Sequence, residues 1–181
     1  MHEMKNILII TLSLTFLGCS DDLKILEERI KSQAEKNNTE MSALEIKKTA
    51  LYLKGWGEED FYQEAIDKFL EEDKDNFPDE VTVLFTGSSS IRFWENLEED
   101  MRPLKVLNRG FGGAHIAHVN FHFEDVVEQY APQAIVFFCG TNDITALKTP
   151  EETIRDFKIF RQKVRNRLPE AHLFVIGIKP T

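Results

Sequence analysis

Apolar and polar residues alternate in blocks along the second half of the chain. Four short, mostly apolar runs occupy residues 81–85, 105–107, 134–138 and 173–178. Near-continuous apolar runs are typical of strands that are buried on both faces of a parallel sheet. Between them, apolar residues recur at helical spacing, at residues 91–99, 116–130 and 154–168. The pattern predicts a three-layer α/β/α sandwich around a parallel sheet.

The first half of the chain has a different pattern. From residue 21 to about residue 53, a narrow apolar stripe at helical spacing runs among charged residues, with an interruption at residues 37–39. A stripe this narrow predicts a partly helical tether over residues 19–57, with a partner-binding helix as the alternative. A stronger amphipathic pattern over residues 58–73 predicts a helix that packs on the following domain, which spans residues 58–181.

The extreme N-terminus carries a short apolar segment. Lys5 precedes the mostly apolar residues 7–18, a stretch too short to span a bilayer comfortably. It ends in Phe16-Leu17-Gly18-Cys19, which resembles a bacterial lipobox. The resemblance implies a signal peptide over residues 1–18, a lipid on Cys19, and a protein anchored in the bacterial cell envelope, facing the periplasm or the outside. Ordinary secretion and an uncleaved helix are the alternatives.

Charge and cysteine content exclude several function classes. The chain has 31 acidic and 22 basic residues and a net charge of −9. Residues 21–80 hold 18 acidic and 9 basic residues, whereas residues 81–181 hold 12 of each. Without a basic stripe the second half offers no surface for a phosphate backbone, so we expect no nucleic-acid partner. Two cysteines build neither a disulfide scaffold nor a zinc module, and no other metal-ligand spacing is visible.

Polar, glycine-bearing loops follow the first three predicted strands. In parallel α/β sheets ligands bind at the carboxyl ends of the strands, so these loops are expected to line one cleft. A serine hydroxyl at a strand-to-helix turn is well placed to act as a nucleophile. An exposed glycine amide and an asparagine side chain can donate hydrogen bonds to an oxyanion. Together these groups are the parts of an acyl-transfer site. The three loops read Thr86-Gly87-Ser88-Ser89-Ser90-Ile91-Arg92, Asn108-Arg109-Gly110-Phe111-Gly112-Gly113 and Cys139-Gly140-Thr141-Asn142-Asp143.

In order and position, these loops resemble three of the four blocks of the SGNH (GDSL-type) hydrolases. The resemblance implies a flavodoxin-like fold, with Ser89 as the nucleophile and Ser88 where the family usually has aspartate. It further implies an oxyanion hole formed by Gly113, Asn142 and the amide of Ser89. Ser88 and Ser90 remain competitors for the nucleophile, and the alternative to this family is an unrelated flavodoxin-like domain whose serine-rich first loop binds a phosphate.

The fourth block of that family is missing from the sequence. The resemblance implies a general base in a late Asp-x-x-His block, but the sequence ends soon after the fourth predicted strand, so we interpret it as C-terminally truncated. His172 precedes that strand, at the wrong end of the sheet. The other domain histidines are expected to be surface or half-buried helix residues: His115, His118 and His122. Strand four is then expected to form an exposed apolar edge.

The sequence therefore supports two functions. The first is a serine esterase that hydrolyses an O-acyl ester, such as an acetylated carbohydrate, through an acyl-Ser89 intermediate and without a cofactor or metal. The second is a ligand-binding lipoprotein or pseudoenzyme that has lost its base. Cys139 is expected to be an inert core thiol, and Phe93 and Trp94 are expected to face the core.

Overall fold

The computed structural model describes residues 21–178, which divide into two units after Trp56. In the first unit, residues 21–36 form helix α1 and Ala43–Trp56 form helix α2. The predicted interruption lies between them, where Asn38 has a φ of +50°. No helix within residues 21–178 is long and apolar enough to cross a membrane. The predicted signal peptide and lipid-bearing Cys19 lie outside the described residues.

The second unit is built on a four-stranded sheet. Its strands are β1 (Val83–Gly87), β2 (Val106–Gly110), β3 (Ala134–Phe138) and β4 (His172–Val175). All pairs are parallel, and the strands lie in the order β2-β1-β3-β4. The predicted α/β fold with a parallel sheet is therefore confirmed, with strand boundaries displaced by up to about three residues.

Helices connect the strands on both sides of the sheet. Helix α3 precedes β1, and the long helix α9 precedes β4. The helical segments of this unit are α3 (Gln63–Asn76), α4 (Ser89–Arg92), α5 (Leu97–Asp100), α6 (Ile116–Phe121), α7 (Phe123–Val126), a 3₁₀ turn (Glu128–Tyr130), α8 (Thr141–Thr145) and α9 (Pro150–Arg167).

Helix α9 begins at the predicted capping box. The Thr149 N–H donates to the Glu152 carboxylate at 2.6 Å, and the Glu152 N–H donates to Thr149 Oγ1 at 3.2 Å. Pro150 occupies the first helical position, where its missing N–H leaves no hydrogen bond unmade. The local sequence signal therefore fixes the start of this helix.

Two helix predictions were wrong in detail. The predicted helix over residues 91–99 is two single-turn helices, α4 and α5, and the pattern over residues 116–130 is broken into α6, α7 and a 3₁₀ turn. Because α4 ends after one turn, Ile91 is buried while Phe93, which we expected to face the core, is 67% exposed. Trp94 does pack inward, in an edge-to-face contact with Phe85 in which the two ring centroids lie 5.6 Å apart.

The two faces of the sheet are covered unequally. Leu84, Ile135 and Phe137 pack into a large core with residues of α3, α6, α7 and α9, whereas Phe85 on the opposite face belongs to a smaller cluster. At the sheet edge, Phe174 of β4 is 58% exposed. The exposed apolar edge expected from the sequence is therefore present.

Candidate active site

The carboxyl ends of three strands lie side by side. Gly87 at the end of β1 pairs with Gly110 of β2 on one side and with Phe138 of β3 on the other. The three polar loops of the sequence analysis leave the sheet at these residues. The topology thus brings the predicted site residues to one edge of the sheet.

The first loop places its three serines in different surroundings. Ser88 is only 2% exposed and precedes α4 in an extended conformation, with its N–H donating to Phe138 O at 3.0 Å. Its backbone oxygen accepts the N–H groups of Ile91 and Arg92. Ser89 is the first residue of α4 and is half-buried, while Ser90 is exposed. Burial makes Ser88 a poor nucleophile, so Ser89 and Ser90 remain accessible to a ligand.

The glycine loop is anchored to the first loop by Asn108. Its side-chain Nδ2 donates to Ile91 O at 2.7 Å, and its Oδ1 accepts the Gly110 N–H at 2.9 Å. Gly113, the predicted oxyanion donor, has a φ of +76° and is half-buried. The left-handed conformation at this position favours glycine, and it turns the backbone between β2 and α6.

Asn142 joins the third loop to the glycine loop. Its Nδ2 donates to Ala114 O at 3.0 Å, one residue beyond Gly113. An amide nitrogen carries two hydrogens, so the second can serve a ligand at the same edge. The same carbonyl accepts the thiol of Cys139 at 3.2 Å, and burial raises the pKa of this thiol well above its usual value. Cys139 is therefore a buried core thiol, in agreement with the sequence analysis.

This three-loop arrangement is accompanied by a family match over most of the second unit. Residues 73–181 match the family described as GDSL-like Lipase/Acylhydrolase. The chain belongs to this family.

Curated relatives support the assignment. The chain is 31% identical over 126 residues to platelet-activating factor acetylhydrolase IB subunit alpha2 of Homo sapiens. The matched region covers 67% of this chain and 53% of that protein. It is 32% identical over 117 residues to the alpha1 subunit of Homo sapiens, covering 62% of this chain and 48% of that protein. The chain thus spans about half the length of these relatives.

Solved structures share the fold at lower identity. A structure described as a platelet activating factor from Streptococcus pneumonia has a TM-score of 0.59 at 20% identity, covering 77% of this chain and 63% of the other. A GDSL-like lipase from Bacteroides thetaiotaomicron has a TM-score of 0.52 at 17% identity, covering 61% of this chain and 56% of the other. The second unit therefore has the fold of the GDSL-like hydrolases.

Asp143, next to Asn142 in the third loop, is structural. It is fully buried, and its carboxylate accepts the Ile116 N–H at 3.1 Å and the Lys148 ammonium at 2.7 Å. Lys148 also contacts Asp156 at 3.0 Å. Burial lowers the pKa of Lys148, but the two carboxylates outweigh it and the pKa ends above its usual value. Asp143 thus ties the third loop to the start of α6.

The three histidines in and beside α6 are fully buried, which corrects the expectation of surface or half-buried residues. His115 is 1% exposed, His118 0% and His122 2%. These histidines lie next to apolar positions of the predicted helix, and side chains outside that helix also cover them. One example is Phe111, whose ring centroid lies 6.4 Å from that of His122. His172 is exposed at the start of β4, at the opposite edge of the sheet from the three loops, as predicted.

Burial also makes these histidines poor general bases. Burial, with the neighbouring Lys148 and His118, lowers the pKa of His115 to about 3. Burial likewise lowers the pKa of His122, although Asp125 acts in the opposite direction. His118 already uses both ring nitrogens in hydrogen bonds within the fold. Within residues 21–178, no histidine is therefore placed and poised to take the proton of Ser89.

Proposed function

We propose that this chain carries the nucleophile and the oxyanion hole of a serine ester hydrolase. Ser89 Oγ attacks the carbonyl carbon of the ester, and the N–H groups of Ser89 and Gly113 and the side chain of Asn142 stabilise the oxyanion. Collapse breaks the ester C–O bond, and the alcohol leaves with the proton that Ser89 Oγ gave up. Water then hydrolyses the acyl-Ser89 to the carboxylic acid and the free serine. The observation that carries the proposal is the 3.0 Å bond from Asn142 to Ala114 O, which fastens the asparagine beside the glycine loop at the exit of β1.

The substrate we propose is an ester with a small acyl group on oxygen, such as an acetylated carbohydrate. The curated relatives are named acetylhydrolases, in agreement with a short acyl chain. An apolar groove of about 590 Å³ opens beside the proposed nucleophile and is lined in part by Ser90, Trp94 and Thr141. Its apolar walls are compatible with an acyl group and unfavourable for a charged one.

Chemical rescue tests this proposal. Since no histidine of residues 21–178 serves as the base, added imidazole is expected to restore proton transfer and raise the protein-dependent hydrolysis of para-nitrophenyl acetate. In Ser89→Ala the imidazole-stimulated rate is expected to fall about 100-fold or more, to that of buffer with imidazole. The measurement is the initial rate with and without protein over a range of imidazole concentrations.

Ser90→Ala is the matched control for the rescue experiment. It removes a neighbouring hydroxyl of the same loop and is expected to retain the stimulated rate. Mass spectrometry of the acid-quenched reaction is expected to find one acetyl group on the peptide that contains Ser89. If Ser89→Ala retains the stimulated rate and Ser90→Ala loses it, Ser90 is the nucleophile instead.

A binding protein without turnover is the second candidate. The observation that favours it is the burial of His115, His118 and His122, which leaves the described part of the chain without a base. A ligand that occupies the oxyanion hole is then expected to raise the melting temperature. Stabilisation by acetate that is lost in Asn142→Ala, with no imidazole-stimulated hydrolysis in the wild type, would favour binding over catalysis.

We also propose that the protein is held in the bacterial cell envelope by a lipid on Cys19, on the strength of the lipobox-like sequence Phe16-Leu17-Gly18-Cys19. When the chain is expressed with its own N-terminus in a bacterial host, the membrane fraction is expected to contain a protein that begins at Cys19 and carries a diacylglycerol. Cys19→Ser is expected to abolish the lipid, whereas Cys139→Ser leaves it. Intact mass decides, and a lipid-free wild type would contradict the anchor.

A further inference from the structure

The ring of His118 connects two segments that are far apart in the sequence. Its Nδ1 accepts the backbone N–H of His115 at 2.9 Å, and its Nε2 lies 3.0 Å from the backbone oxygen of Glu58. The first partner is the residue before α6, and the second lies at the start of the second unit. The ring is fully buried between them.

These two partners fix the protonation of the ring. A backbone N–H can only donate, so Nδ1 must carry a lone pair, and a backbone oxygen can only accept, so Nε2 must carry the hydrogen. His118 is therefore the neutral Nε2–H tautomer. A proton added at Nδ1 would replace the acceptor with a second donor and break the bond to His115.

The bond to His115 acts on the proposed oxyanion loop. His115 follows Gly113 and Ala114, and Ala114 O is the group that holds Asn142. The next residue, Ile116, is held by Asp143 from the third loop. The turn that carries Gly113 is thus fastened to the third loop by three bonds, two at Ala114 O and one at the Ile116 N–H, and to the start of the second unit through His118.

We propose that His118 is a positioning residue: as a neutral imidazole it clamps the turn at Gly113, and thereby orients the amide of Gly113, by tying the His115 N–H to Glu58. The consequence for turnover rests on the serine hydrolase function proposed above. The clamp itself does not depend on that function, because it is defined by two hydrogen bonds within the fold. The two parts can therefore fail separately.

Two substitutions separate the halves of the clamp. In His118→Asn the side-chain oxygen lies where Nδ1 was and can still accept the His115 N–H, but the side chain is too short to reach Glu58. His118→Phe keeps a ring of similar size and loses both bonds. The two variants thus share the loss of the Glu58 bond and differ in the bond to His115.

Amide hydrogen exchange and nitrogen chemical shifts test the clamp. At pH 7 the ring of His118 is expected to show the Nε2–H tautomer. The His115 amide is expected to exchange about tenfold faster in His118→Phe than in the wild type, the equivalent of one lost hydrogen bond, and to be largely protected again in His118→Asn. His122→Phe, on a buried histidine beyond α6, is the control and is expected to leave the exchange of this amide unchanged.

The outcomes separate the two proposals. A cationic ring, an Nδ1–H tautomer, or equal exchange of the His115 amide in the wild type and His118→Phe would each overturn the clamp. If the clamp is found, the imidazole-stimulated rate is expected to fall about tenfold in His118→Phe and to recover only in part in His118→Asn, which keeps the bond to His115 but not the tie to Glu58. A stimulated rate that is absent from the wild type contradicts the hydrolase function. A stimulated rate that is present in the wild type and unchanged in His118→Phe contradicts the positioning role.

Discussion

Replacing Gly87 with alanine is expected to destabilise the second unit by more than about 4 kcal/mol, a large fraction of the roughly 5 to 15 kcal/mol that stabilises a typical domain. Gly87 ends β1 with a φ of +132°, a conformation that residues with side chains rarely adopt, and an added Cβ would lie 2.0 Å from Phe138 O. The obstacle is the backbone of the neighbouring strand, and the N–H of Ser88 donates to that same oxygen at 3.0 Å. Neither β1 nor β3 can therefore move away without breaking the hydrogen bonds between the two strands next to the proposed nucleophile.

Urea unfolding followed by circular dichroism measures this effect. Gly177→Ala is the matched control, because Gly177 lies in the same unit and a Cβ there meets nothing within 4 Å. Gly177 follows β4 and lacks the left-handed φ of Gly87, so this variant is expected to unfold at the wild-type urea concentration. A Gly87→Ala protein that unfolds at the wild-type urea concentration would show that β1 and β3 separate more easily than their register implies.

The parts of the fold that the sequence predicts correctly are those with a local signal. The apolar runs locate all four strands, and Thr149 with Glu152 locates the start of α9. The three loops could be assigned to one edge because parallel strands all have their carboxyl ends on the same side. Local pattern is sufficient in these cases, since each feature depends on residues a few positions apart.

The parts that the sequence does not predict depend on partners far away in the chain. The hydrogen bond of His118 requires Glu58 O, 60 residues earlier, and the role of Asp143 requires Ile116, 27 residues earlier. No spacing rule relates such positions. Helix breaks were missed for a related reason, because the apolar stripe from Ile116 to Tyr130 continues across the break at His122 and only the packing shows where each turn ends.

The largest feature without a local signal is a buried ionic cluster beside the glycine loop. Arg109 donates to Asp73 of α3, and its Nε donates to Tyr130 Oη at 2.7 Å, while the tyrosine hydroxyl donates to Asp73. The guanidinium also lies over the ring of Phe69, 4.8 Å from its centroid. Burial raises the pKa of Tyr130 to about 12, so the phenol remains a neutral donor. The cluster fastens α3 to β2.

Substituting one member of the buried pair is expected to cost far more than substituting both. Arg109 is 6% exposed and Asp73 8%, so Asp73→Leu leaves a buried cation without its counter-charge, at a cost of about 3 to 5 kcal/mol. Arg109→Met is expected to cost a similar amount by leaving the carboxylate. The double variant restores neutrality with apolar side chains, and Tyr130 Oη keeps a donor in Gln129 Nε2 at 3.1 Å.

A double-mutant cycle from urea unfolding measures the coupling between Asp73 and Arg109. The double variant is expected to lose less unfolding free energy than either single variant, and therefore at least about 3 kcal/mol less than the sum of the two single losses, because each single loss consists mostly of an uncompensated charge. Since Arg109 lies between Asn108, which holds Ile91 O, and Gly110, the single variants are also expected to loosen the proposed site. Additive losses would mean that Asp73 and Arg109 stabilise the fold independently and would contradict the pairing; coupling means that the two charges require one another.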